Sequence, residues 1–119
     1  MKIPRRRMMN ARSEFQLVRS KGASKVGKYM VLSTLPCETL SESKFAFVTS
    51  KKVGKAHERN FVRRRFRDLI SRHGDDITDT RYIVMIGRYS APGVDFALLE
   101  AEFLKLSRKL GIISASSDK

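Results

Sequence analysis

Two short apolar runs bracket one amphipathic stretch, and this arrangement constrains the fold most. Residues 44–50 (Lys-Phe-Ala-Phe-Val-Thr-Ser) and 81–87 (Arg-Tyr-Ile-Val-Met-Ile-Gly) are rich in β-branched and aromatic side chains, and each reads as a strand. Between them, residues 57–73 place Val62, Phe66, Leu69 and Ile70 at helical spacing, with Gly74 ending the helix. Strand, helix and strand in that order make a β-α-β unit, whose helical connection is long enough to let the strands lie parallel and adjacent. The first run is apolar on both faces, which predicts an interior position in the sheet.

The remaining elements fit around this unit. Ser13-Glu14-Phe15-Gln16 has the form of a capping box, predicting a helix from an N-cap at Ser13 to about Lys21, stopped by a left-handed Gly22. Residues 29–35 read as a strand ended by Pro36, and residues 51–55 as a basic turn. Asp95 is a suitable N-cap for a last helix carrying Phe96, Leu99, Phe103, Leu106 and Leu110, which Gly111 closes. The expected architecture is α/β (α+β): a two-layer sandwich of a small mixed sheet with helices, in the order α-β-β-α-β-α. Residues 1–119 are expected to form a single domain, with 1–9 a flexible basic arm and 112–119 a disordered tail.

Charge narrows the function. The 119 residues carry a formal net charge of +13. Residues 1–28 hold +8 of it and residues 51–72 hold +7, while the other two segments are each −1. Two concentrated basic blocks on a small domain are an electrostatic footprint for a polyanion. No apolar run approaches the roughly 20 residues that span a membrane. The basic start has no apolar stretch behind it, so no secretory signal peptide is expected and the cytoplasm is the expected location. The single Cys37 excludes an internal disulfide and any multi-cysteine metal site.

The helix at 57–73 concentrates the chemistry. At about 100° per residue, Asn60, Arg64 and Arg67 fall opposite the apolar stripe, Arg63 flanks it and Arg59 lies over its N-terminal end. Guanidinium is planar, permanently charged and donates in a fork that fits phosphate oxygens. Crowded guanidinium groups repel one another unless a polyanion neutralises them. A solvated helix face is the bland alternative, but such faces mix signs, and here Glu58 and Asp68 are the only acids among residues 51–72.

Ser50-Lys51-Lys52-Val53-Gly54-Lys55-Ala56, followed by Arg59-Asn60 and the arginine run, resembles the signature of the bacterial ribonuclease P protein, S-K-K-x-G-x-A then R-N-R-x-K-R-x-x-R-E. Arg59, Asn60, Arg64 and Arg67 match. Arg63 stands for Lys, Asp68 for Glu, and Phe61 replaces the second Arg, removing one expected phosphate contact. The likeness extends over roughly residues 10–110. It implies a left-handed crossover, otherwise rare, and a protein subunit of an RNA-based endonuclease that removes the 5′ leader of precursor tRNA. Catalysis would belong to the RNA subunit, with magnesium ions activating the water. No catalytic residue and no metal ligand is then expected in the protein. The expected contacts with the ribonuclease P RNA are Lys51, Lys52, Lys55, Arg59, Asn60, Arg63, Arg64 and Arg67. The family's leader cleft, between the first helix and the sheet, maps onto Phe15, Arg19, Met30, Leu32 and Met85. For Met30, Leu32 and Met85, plain core is the competing reading.

Other candidates read as structural. His57 and His73 have no partnered nucleophile. Asp75, Asp76 and Asp79 lack calcium-loop spacing. Cys37 has no evident role. Two other functions compete with the leading one. An RNA-binding or ribosome-associated protein without a part in cleavage would share the arginine face. A DNA-binding helix would need a helix-turn-helix setting, which a β-α-β unit does not provide.

Overall fold

The computed structural model describes residues 2–114. Besides short 3-10 turns, seven α-helices and β-strands follow one another in the described residues: α1 Arg12–Lys21, β1 Ala23–Val26, β2 Met30–Pro36, β3 Lys44–Val48, α2 Ala56–His73, β4 Arg81–Gly87 and α3 Phe96–Lys109. The sheet order is β1-β2-β4-β3, with β3 and β4 parallel and the other pairs antiparallel. The expected parallel β-α-β unit is therefore present, and β1 is an addition. Every residue of β1 is exposed, so it shows no apolar periodicity from which a strand is read.

Register divides the sheet into two faces. Met30, Leu32, Phe45, Ile83 and Met85 share one face and are fully buried with Val62, Phe66, Leu69 and Ile70 of α2 and Leu99 and Phe103 of α3. Each such side chain contributes about 1.5–3 kcal/mol on burial. This is the sandwich expected from the sequence. Helix α1 lies across part of the other face, where Val18 packs with Ala46, Tyr82 and Val84, and Phe15 and Leu35 border them.

Several local expectations are corrected. The N-cap of α1 is Ala11, not Ser13. Glu14 supplies the cap from inside the helix, its Oε1 accepting from the N–H groups of Asn10 and Ala11 at 3.3 Å each. Gly22 is extended rather than left-handed (φ −84°, ψ −179°). Glycine is required there by close approach, because a Cβ would lie 2.5 Å from the Val18 carbonyl oxygen and 2.6 Å from that of Thr34. Strand β3 is an edge strand, not an interior one. Its apolar character on both faces has another cause: Phe45 enters the core under α2 and α3, while Ala46 enters the one under α1.

The outer edge of β3 is covered by the N-terminal residues, so the expected flexible arm is docked. Met8 pairs with Phe45, and the Met9 N–H donates to the Phe45 carbonyl at 2.8 Å. Ile3 and Met9 are buried, and Arg6 pairs with Glu42 at 2.9 Å. A covered edge cannot recruit another strand. The expected disordered tail does not begin at residue 112. Ile112 and Ile113 are core residues, and Ile113 pairs with Ile77, whereas residues 115–119 lie outside the described residues. Arg81 is buried at the base of β4. It pairs with Asp79 at 2.7 Å and donates to Thr34 Oγ1 and the Gly111 carbonyl, each at 3.2 Å, which gives Asp79 a structural role.

Candidate RNA-binding surfaces

Burial of Val62, Phe66, Leu69 and Ile70 fixes the rotation of α2 and sends Asn60, Arg64 and Arg67 to solvent. The N-terminus of the helix is held by Glu58, which accepts the Lys55 N–H at 2.9 Å. Just before it, Lys51 and Lys52 lie on a 3-10 turn that Ser50 caps by accepting from Lys52. Lys51, Lys52 and Lys55 are all exposed. Arg63 is anchored, donating to Thr49 Oγ1 and to Asn60 Oδ1. Arg67 lies over the Phe47 ring at 5.5 Å. Asn60, Arg63, Arg64 and Arg67 line one depression with Met8 and Phe47. Arg59 is half-buried, and its Nε has no hydrogen-bond partner among the described residues. Among the described residues none of these cations pairs with a carboxylate. Their charge is left uncompensated on the surface.

Phe61 does not join this face. Its ring is 36% exposed, and the Arg65 guanidinium covers it at 4.5 Å. Arg65 also lies near Phe96 and donates to the Val94 carbonyl, so the family departure at Phe61 is built into the α2–α3 contact.

The second surface is a groove of about 350 Å³ between α1 and the sheet. Phe15, Val18 and Arg19 of α1 form one wall, and the sheet contributes Ser24, Val31, Ser33, Val48, Val84 and Ile86. Phe15 and Arg19, which the resemblance carries over to a cleft beside the first helix, both line this groove, four residues apart on one helix face. Met30, Leu32 and Met85 are not in the groove. They are 0% exposed on the opposite face. Period-two alternation groups Met30 with Leu32 correctly, but helices α2 and α3 claim that face, leaving Val31 and Ser33 for α1. Nothing in β2 alone marks the open face, because Val31, Ser33 and Leu35 on one side and Met30, Leu32 and Thr34 on the other each include one hydroxyl residue. Ser24 Oγ and Ser33 Oγ lie 2.7 Å apart on the groove floor. Val48 and Thr49 are consecutive, so the groove and the arginine face meet at the end of β3.

His73 is engaged in the contact between α2 and α3. His73 Nε2 is 2.8 Å from Glu100 Oε2, and its ring is 6.0 Å from that of Phe103. His57 is exposed. Among the described residues no three or more His, Cys, Asp or Glu side chains gather where they would hold a metal ion, and no helix is long and apolar enough to cross a membrane.

The ribonuclease P family model matches residues 3–111. The chain belongs to this family. A ribonuclease P protein component from Dehalococcoides mccartyi is 32% identical over 111 residues, 93% of this chain and 90% of that protein. One from Desulforamulus reducens is 36% identical over 98 residues, 82% and 86% of the two. The solved RNase P protein of Staphylococcus aureus shares the fold, with a TM-score of 0.82 at 20% identity over 91% of this chain and 98% of that one. The RNase P protein of Thermotoga maritima, solved with 1-(4-fluorophenyl)-2-thiourea, has a TM-score of 0.73 at 29% identity, covering 87% and 96%. Maturation of the tRNA 5′ end, together with an RNA subunit, is the function of this family.

Proposed function

We propose that the two surfaces divide the work between the catalytic RNA and the substrate. The exposed arginine face of α2, extended by Lys51, Lys52 and Lys55, binds the ribonuclease P RNA through its phosphates. The groove beside α1 takes the single-stranded 5′ leader of precursor tRNA. Phe15 offers a ring for an unpaired base, the aliphatic floor holds apolar base surface, and Arg19 meets a phosphate. The chain's own side chains bind and position. Among the described residues no carboxylates cluster where they would hold a metal ion, and on this reading hydrolysis and the metal ions that support it belong to the RNA subunit. The setting is the cytoplasm.

The observation that carries this reading is chemical. Uncompensated cations occupy one surface, an apolar groove with a single ring occupies another, and the two lie on opposite sides of β3 and meet at its end. Reconstitution with ribonuclease P RNA and precursor tRNA at low magnesium tests it. The complete particle is expected to cleave, and protein freed of RNA is expected to be inactive. A longer leader should bind better than a single-nucleotide one, and Phe15→Ala should shrink that difference while leaving affinity for the RNA subunit intact. A folded Phe15→Ala protein with an undiminished leader effect would remove the groove from the reading. Cleavage by RNA-free protein would overturn the division of labour.

A further inference from the structure

The depression on the arginine face, about 470 Å³ in volume, is lined by Met8, Phe47, Asn60, Arg63, Arg64 and Arg67. A surface that only tracked phosphates would need no apolar lining, yet Met8 and Phe47 supply it. Arg67 ties them together, with its guanidinium over the Phe47 ring and its Nη2 4.0 Å from the Met8 sulfur. A guanidinium held from behind in this way keeps its outer plane open for stacking on a base.

The polar lining has a definite sense. Arg63 has no acceptor, so the Asn60 atom that meets it is the amide oxygen. That contact turns the Asn60 amide nitrogen away from Arg63, and among the described residues it donates to nothing. Arg64 likewise has no partner among the described residues. The side-chain groups left without a partner are donors, the Asn60 amide nitrogen and the Arg64 guanidinium, with Arg67 beside them, whereas the Asn60 amide oxygen is turned to Arg63 and keeps one lone pair.

From this we infer that the depression is a base-binding pocket for an unpaired guanosine of the ribonuclease P RNA, its base stacked on the outer plane of Arg67 and held at N7 and O6, while the edge N–H groups of Arg67 still meet a phosphate. The guanine edge bearing N7 and O6 presents two adjacent acceptors and no donor. The matching adenine edge places its amino donor beside N7, against the pocket's own donors. The inference rests on the arginine face being the RNA-binding surface, and it adds a base contact that charge alone does not provide.

Analogue interference on the intact RNA is the test. Ribonuclease P RNA carrying random 7-deazaguanosine lacks N7 at single positions and is selected for binding to the full chain. Wild-type protein should show interference at one or a few guanosines. Asn60→Ala, at an exposed position, should erase that interference and weaken binding about tenfold, close to 1.4 kcal/mol, with the salt slope unchanged. Thermal unfolding confirms that the variant is folded. Arg64→Ala is the reference for the underlying reading and should lower the salt slope. If Arg64→Ala behaves so while 7-deazaguanosine has no effect, or its effect persists in Asn60→Ala, the base pocket is wrong and the RNA-binding face stands. If Arg64→Ala changes nothing, the face itself is wrong and the pocket falls with it.

Discussion

Val31 and Leu32 are consecutive in β2 and end on opposite sides of the sheet, Val31 in the groove beside α1 and Leu32 fully buried beneath α2 and α3. Leu32→Ala is expected to cost about 2–5 kcal/mol, as for other buried leucines, visible as a lowered urea midpoint. Val31→Ala removes less buried surface, and its larger effect should fall on leader-dependent substrate binding. Equal losses of stability in the two variants would contradict this division of faces.

Glu102 of α3 holds the β1–β2 turn. Its carboxylate accepts the N–H groups of Lys28, Tyr29 and Met30 at 2.6, 2.8 and 3.0 Å. A Cβ at Gly27 would lie 2.5 Å from the Glu102 Cδ, so the glycine makes room for the clasp. Hydrogen bonds to charged groups contribute about 1.5–3 kcal/mol each when well formed. Partial solvent exposure and shared geometry reduce the sum, and Glu102→Ala is expected to cost about 2–4 kcal/mol. Amide exchange at Tyr29 and Met30 should accelerate in the variant. Unchanged exchange there would show that the turn holds itself.

Glu14 predicts a pH dependence. Burial pushes its carboxyl up, but the Lys44 ammonium and the N–H groups of Ala11 and Asn10 outweigh burial, so the group titrates below its ordinary value of 4.5. Folding therefore favours the charged form. Its stabilisation is complete above about pH 4.5 and is lost as the pH falls through the lowered folded value. Glu14→Gln should be less stable than the parent at neutral pH, with the difference shrinking as the pH drops below 4.5. Urea midpoints across that range measure it. A gap that widens on acidification would contradict the assignment.

Periodicity made the long elements legible in the sequence. The α2 stripe of Val62, Phe66, Leu69 and Ile70 and the parallel β3-α2-β4 unit are where spacing places them. The arginine face was legible for the same reason, since rotation follows once the apolar stripe is known. Residues whose role depends on distant packing were not. Strand β1 has no buried side chain to betray it, and the docking of residues 2–9 depends on an edge strand that the sequence does not identify as an edge. The groove floor failed similarly: alternation separates Met30 and Leu32 from Val31 and Ser33, but only the positions of α2 and α3 decide which pair is covered. Phe61 is legible in the sequence only as the loss of one family arginine, and its place under the Arg65 guanidinium depends on packing against Phe96.

The central claim is that Arg64 and Arg67 meet RNA phosphates, and the salt dependence of binding measures this most directly. Each phosphate contact removed should lower the slope of log affinity against log salt by somewhat less than one, about 0.7–0.9 by analogy with DNA. Arg64→Ala and Arg67→Ala should each bind ribonuclease P RNA more weakly, with the slope reduced by about that amount and a larger reduction in the double variant. Parent-like slopes in all three proteins would contradict the claim and point the arginine face away from the RNA.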